Sequence, residues 1–480
     1  MSELKEKSIG SAKWTLFFLL AQYFITFFLS IVLSRLISPS EFGLTGMLSI
    51  IISVATVITN SGLASALVFD KKSTEDDYAT VFYFNFFISL LLYLILYFSA
   101  PLISKFYNQP ALISLTRWLS LVFVLNSLSI IQNTILVIKL DFKKQSLIKI
   151  TALIISVIVS IILAFSGWGV YSIVAQALIQ AAITSILFWY YSTWRPKGKF
   201  TKLSFVKLWG YGSKILYSNL FTSFVQNIDN MIIGKLFQPI TLGLFVRAKS
   251  TKAIPESIFT QAFQTSIFPI LTKVNEDKIE HRKKHLQFFQ IGSFFIFPLV
   301  LVFFFATPEL IKFLYGEKWL NAIPYLQIIS FSIIPYFLGI LFNQTLLSLG
   351  DSKLFMKLNM FRRVLGLINI PIAIFWGLIP YLYSIVFFNI VGLFIDILYS
   401  SSKIGTSFKD YLPTLIKSSL YTLLMAALIV IIQYLPFNIM VLKFTGIIIS
   451  CSIYFILLFL FERQILGYYL EIFKSFTNRR

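Results

Sequence analysis

Apolar runs of about twenty residues, separated by short polar segments, recur along nearly the whole chain. That length suits one kind of element, since an α-helix needs about 20 residues to cross a bilayer core of about 30 Å. Inside the core every backbone N–H and C=O has to be satisfied within the chain, which leaves helices or closed barrels. A barrel would show alternating segments of about ten residues, and none are seen. With 57% hydrophobic and 13% charged residues and a mean hydropathy of +0.82, the usage excludes an ordinary soluble domain. The fold class is therefore an all-α polytopic membrane protein.

Hydropathy predicts spans over 14–33, 42–68, 79–100, 112–138, 150–165 and 170–191, then 215–236, 240–271, 288–305, 324–349, 364–376 and 381–400, and finally 412–434 and 441–461. Fourteen spans put both ends on one side. The first run is longer than a signal-peptide core and lacks a small-residue cleavage site, so it counts as a helix. Most of the 41 Lys and Arg fall in alternate loops and at the two ends, which assigns that side to the cytoplasm. The net charge of +21 thus reads as orientation on a membrane, with basic loops facing anionic head groups, and not as a nucleic-acid surface. The largest inner segments are 192–214, where a piece near Phe205–Trp209 is expected on the lipid surface, and 272–287. Glu75, Asp76 and Asp77 read as an inner loop paired with Lys71 and Lys72. Cys451 is the single cysteine, so no intrachain disulfide can form.

The chain also repeats itself. Ser34–Leu44, SRLISPSEFGL, returns as Gly234–Leu244, GKLFQPITLGL, and YSIV at Tyr171–Val174 returns at Tyr383–Val386, an offset of 212. Two matches in the same order indicate a duplication. The expected organisation is a six-helix bundle over residues 1–191, a linker over 192–214, a second bundle over 215–400, and two further helices with a tail over 401–480.

No catalytic set stands out, which argues against an enzyme. His281 and His285 have the spacing of helical metal ligands, but Arg282, Lys283 and Lys284 beside them repel a cation. Asn343 with Thr345 matches a glycosylation triplet but lies in an apolar run. Gly-rich phosphate loops are absent, and no cofactor is expected. The informative residues are charges at membrane depth, each costing about 2.5–3.5 kcal/mol on the insertion scale unless it faces protein or a wet cavity. Arg247, Lys249 and Lys252 fall within two turns, with Glu256 placed to pair with Lys252. Asp229, flanked by Asn227 and Asn230, Arg117 and Asp396 also lie at depth. Arg35 and Lys235 stand near helix ends, where snorkelling to head groups competes with a cavity-lining role.

The segment Asn227–Pro255, NIDNMIIGKLFQPITLGLFVRAKSTKAIP, resembles the signature of the polysaccharide transporter family within the multidrug/oligosaccharidyl-lipid/polysaccharide (MOP) superfamily. Asp229, Gly234, Gly243, Arg247 with Ala248, and Pro255 carry the pattern, with Phe245 where the family commonly has Tyr. LLSLGDSK at Leu346–Lys353 and the opening SRLISPSEFGL resemble further family segments.

The resemblance implies a MATE-like fold of two six-helix bundles around a central cavity and alternating access by rocking. It implies a Wzx-like flippase of the bacterial inner membrane, moving undecaprenyl-pyrophosphate-linked oligosaccharide outward for lipopolysaccharide, O-antigen or exopolysaccharide assembly. Polysaccharide polymerase and chain-length proteins are the expected partners, and the last two helices are expected to hold the lipid tail. The cavity-lining candidates are Arg247, Lys249, Lys252, Asp229, Arg35, Lys235 and Arg117. The rivals are a cation-coupled multidrug exporter, an inner-membrane polymerase or ligase, and a non-transporting scaffold. The first calls for an acidic cavity, the second for a large outer loop, and the third leaves the duplication unexplained.

Overall fold

The computed structural model describes residues 2–70, 72–433, 439–463 and 467. The described residues fold into helices without strands. The first series is α1 (Ser2–Leu36), α2 (Pro39–Asn60), α3 (Leu63–Phe69), α4 (Glu75–Tyr107), α5 (Leu112–Ser127), α6 (Ile130–Ile138), α7 (Phe142–Phe165) and α8 (Val170–Tyr191). The second is α9 (Lys202–Leu236), α10 (Pro239–Lys273), α11 (Lys278–Tyr315), a 3₁₀ turn (Glu317–Ala322), α12 (Ile323–Ser330), α13 (Ile333–Ser348), α14 (Ser352–Leu367), α15 (Asn369–Trp376) and α16 (Leu378–Ile404). Two more, α17 (Phe408–Gln433) and α18 (Ile439–Phe461), follow.

Among the described residues ten spans are long and apolar enough to cross a membrane, or eleven with the bent pair α5–α6. Of the other expected spans, α18 is apolar over the shorter stretch Thr445–Phe461, while α9 and α10 fall outside the set. Both interrupt their apolar pattern with amide, hydroxyl and charged side chains. Such helices need protein or water beside them in a bilayer.

The chain divides into two compact units. One comprises the described residues up to Val246 with Leu314–Lys318, the other Arg247–Phe313 and the described residues from Trp319 on. In the first, α2 packs along α9, and α1 along α7. In the second, an aromatic core of Phe289, Phe337, Phe342 and Tyr411 joins α11, α13 and α17. The last two helices rest on α11 through Met425, Ile429, Tyr454 and Leu458.

The duplicated turns meet one another inside the first unit. A Cβ on Gly43 would lie 1.8 Å from Pro239 O, and one on Gly243 would lie 1.8 Å from Pro39 O. The two turns therefore cross backbone to backbone, reciprocally, and any side chain at either glycine would collide. The duplication extends beyond its sequence matches. The fourth predicted span breaks at Ser127–Leu128–Ser129, and the tenth breaks at Ser330–Phe331–Ser332. At each break both serines return their hydroxyls to carbonyls three residues back, at 2.7–3.0 Å, a bond that competes with the helix ladder and bends it.

A second structural repeat stands at an offset of 210. Asp141 N donates to Leu136 O and Asp351 N to Leu346 O, both at 2.9 Å. The residue before each Asp is left-handed, Leu140 at φ 56° and Gly350 at φ 76°. Each Asp then caps the next helix, accepting from Lys144 N or Leu354 N at 3.1 Å.

Three loop expectations are corrected. Helix α9 starts at Lys202, inside the expected linker, and Phe205 and Trp209 pack on Phe84. The acidic run is engaged elsewhere: Asp77 is buried beside Lys207 at 3.1 Å, and Asp76 accepts from Lys199 N. Lys71 lies outside the described residues, and Lys72 donates its backbone N–H to Asp70. The segment with His281 and His285 opens α11, and both rings are buried. His281 meets Ser348 at 3.0 Å, and His285 is held between Thr345 and Tyr411. Their helical spacing therefore serves packing against α13 and α17.

Candidate functional site

The sequence candidates fall into distinct settings. On α10, Lys252 Nζ lies 3.1 Å from Glu256 and donates to Ser332 Oγ at 2.7 Å, so the expected i,i+4 pair forms and the lysine also reaches the break before α13. Arg247, one turn earlier, is buried with its guanidinium 5.1 Å from the Trp319 ring, a stacking that suits a weakly hydrated planar cation. Lys249 is half-buried on the same helix. Neither Ser332 nor Trp319 was foreseeable, because each lies more than seventy residues away on another element.

Asp229 is half-buried on α9, and its neighbours Asn227 and Asn230 belong to a polar seam against α2. Asn230 donates to Ser49 Oγ at 2.9 Å, Asn227 donates to Ser53 Oγ at 3.2 Å, and Ser53 and Ser223 share a hydrogen bond. In a low-dielectric layer such paired amides and hydroxyls hold two helices in register.

The other three cations cap carbonyl groups. Arg35 Nε donates to Leu314 O at the end of α11, and Lys235 Nζ donates to Phe106 O at the end of α4. A helix from each copy thus closes the C-terminal end of a helix from the other, where the dipole favours a cation. Arg117 donates to Tyr97 O and lies over the Tyr97 ring.

A cluster in the second unit was only partly visible beforehand. Arg362 on α14 donates to Asp396 Oδ2 on α16 at 2.5 Å, to Asn343 Oδ1 on α13 at 3.0 Å and to Asn359 Oδ1 at 2.8 Å. Asp396 is buried, and its Oδ1 has no hydrogen-bond partner. Glycines make room: a Cβ at Gly339 would lie 3.2 Å from Asp396 Oδ2, and one at Gly392 would lie 3.3 Å from Arg362 Cδ. Asp396 was legible as a charge at depth. Arg362 was hidden because an acid and a base on different helices leave no spacing signal.

Among curated proteins, the teichuronic acid biosynthesis protein TuaB of Bacillus subtilis (strain 168) is 24% identical over 333 residues, 69% of each chain. The lipopolysaccharide biosynthesis protein WzxC of Escherichia coli (strain K12) is 21% identical over 364 residues, 75% of this chain and 74% of its own. Among solved structures, the lipid II flippase MurJ in an inward closed conformation superposes with a TM-score of 0.72 at 18% identity, covering 94% of this chain and 100% of that one. An inward-facing MATE family transporter of the MOP superfamily gives 0.60 at 14% identity, covering 79% of this chain and 94% of that one. These likenesses establish a MOP-type helical fold. The sequence pattern described as polysaccharide biosynthesis protein matches residues 32–324, more than half of the chain, and the chain therefore belongs to the polysaccharide biosynthesis protein family.

Proposed function

We propose that the chain is a flippase, not an enzyme, carrying an undecaprenyl-pyrophosphate-linked oligosaccharide from the cytoplasmic to the periplasmic leaflet of a bacterial inner membrane. Both termini are cytoplasmic in this reading, transport runs by alternating access, and the product feeds polymerase and chain-length proteins. Such a substrate keeps its polyprenyl tail in lipid, so the protein has only to shelter a polar, anionic head. Family membership and the fold support transport of this kind.

The observation that carries the reading is α10, where Arg247, Lys249 and Lys252 stand within two turns of one helix, with Glu256 one turn after Lys252. Arrayed cations replace the hydration that a pyrophosphate gives up. Two negative charges moving outward across an inside-negative membrane gain about 2.3 kcal/mol each per 100 mV, which favours the export direction.

The test uses proteoliposomes holding a fluorescent undecaprenyl-pyrophosphate saccharide, with lectin access to the far leaflet as readout. Lys249→Ala and Lys252→Ala are expected to slow transfer about 10- to 100-fold, the equivalent of one charged hydrogen bond of about 1.5–3 kcal/mol. Wild-type rates in both, and in Arg247→Gln, would remove α10 from the mechanism.

A further inference from the structure

The first unit contains a cavity of about 210 Å³ lined by Thr59 and Asn60 of α2, Asn126 of α5, Asn133 of α6, Lys149 of α7 and Thr184 of α8. Lys149 supplies its only charge, and no acid lines it. Among the described residues Lys149 makes no ion pair, and its ammonium lies 5.8 Å from the Phe18 ring. Thr59 is buried, and its Oγ1 has no hydrogen-bond partner. Gln145, one turn before Lys149, donates to Asn133 Oδ1 at 2.7 Å and fixes α6 against α7. The bend of 41° between α5 and α6 opens beside this space. Lys149 lies seven residues into α7, about 10 Å along its axis, past the exposed Lys143 and half-buried Lys144 of the first turn.

The duplication explains what the cavity is. At the offset of 210, Asn133 corresponds to Asn343 and Lys149 to Asn359, and at the offset of 212 Thr184 corresponds to Asp396. Those second-copy residues surround the guanidinium of Arg362. The first copy has Ala152 at the Arg362 position. One copy therefore fills its polar centre with a cation held by an acid, whereas the other keeps the space, removes the acid and leaves a lysine facing amides and hydroxyls.

We propose that this cavity is an anion site for a phosphate-class group, with Lys149 as its charged contact and Thr59 Oγ1 and the asparagine amides as its neutral donors. The proposal rests on the flippase reading for one source of the anion, the substrate's pyrophosphate. A phospholipid head group is the other source with the same chemistry.

The experiment measures the shift in melting temperature on adding inorganic pyrophosphate to the full chain in phosphatidylcholine nanodiscs, each variant against its own baseline. The wild type is expected to show a saturable rise, Lys149→Met and Lys149→Ala to lose it, Lys149→Arg to keep part, and Thr59→Val to weaken it. If pyrophosphate gives no rise but phosphatidylglycerol nanodiscs stabilise the wild type and not Lys149→Met, the site takes a lipid head group. Equal responses of wild type and Lys149→Met to both additions overturn the proposal. A Lys149-dependent response in a protein that moves no lipid-linked saccharide would leave this site standing and remove the flippase reading.

Discussion

The two copies treat the same polar centre in opposite ways. In the second, Asn343, Asn359 and Asp396 close around Arg362 and accept its hydrogen bonds. In the first, Asn133, Lys149 and Thr184 border a cavity. A buried acid–base pair balances its charge internally, whereas a lysine among neutral donors is complementary to an external anion. Duplicated frames thus diverge by moving charge between a structural and a binding use.

The largest expected effect breaks the closed centre. Removing one partner strands a charge in the membrane, so Asp396→Ala and Arg362→Ala are each expected to lose about 3–5 kcal/mol, as buried pairs do when halved. The double variant Arg362→Ala/Asp396→Thr, which writes the first copy's residues into the second, is expected to recover much of that loss. Unfolding in detergent checks it, and a double variant no better than the worse single one would end the comparison.

The converse transplant should be smaller. Ala152→Arg brings a second cation beside Lys149 and crowds a fully buried position, with an overpacking cost of about 1–3 kcal/mol. Adding Thr184→Asp supplies the missing acid and is expected to return about 0.5–3 kcal/mol as coupling between neighbours. Additive losses would show that the two centres are not structurally equivalent.

Much of the architecture was legible in advance, because a bilayer forces apolar helices of nearly fixed length and because SRLISPSEFGL and YSIV survived duplication. The limits were physical. Span breaks at Ser129 and Ser332 leave hydropathy almost unchanged, so the fourth and tenth spans read as continuous. The site was legible only as single charges: Arg247, Lys249, Lys252 and Asp229 were visible on their helices, but Trp319, Ser332 and Arg362 belong to contacts between elements. Lys149 was hidden by its neighbours, since Asp141, Lys143 and Lys144 made the whole stretch look like a basic loop.

The left-handed residue before each capping Asp gives a finer contrast. Gly350 adopts φ 76° freely, whereas Leu140 at φ 56° carries the penalty of a side chain there, about 1–2 kcal/mol. Gly350→Leu is expected to destabilise by about that amount. Leu140→Gly should gain less than about 1 kcal/mol, because glycine also loosens the unfolded chain. Equal losses from both would mean that Leu140 contributes packing that outweighs its backbone strain.

The smallest effect concerns the caps themselves. Asp141→Ala removes an N-cap bond and is expected to cost about 1 kcal/mol at neutral pH. Asp351 makes the same bond and also meets Lys403 Nζ at 2.8 Å. The hydrogen bond from Lys403, with the Leu354 N–H after it, holds the Asp351 carboxyl below the usual carboxylate range. A depressed carboxyl stabilises the fold above its unfolded value near 3.9 and loses that contribution as pH falls through its lower folded value. The Asp351 contribution should therefore be intact at neutral pH and disappear only in strong acid. Because the pair is exposed to solvent, salt should weaken it. Melting Lys403→Ala and wild type across pH 2–7 at two salt concentrations checks this, and a difference that persists unchanged at the acid end or in high salt would assign the loss to packing of the Lys403 stem instead of to its charge.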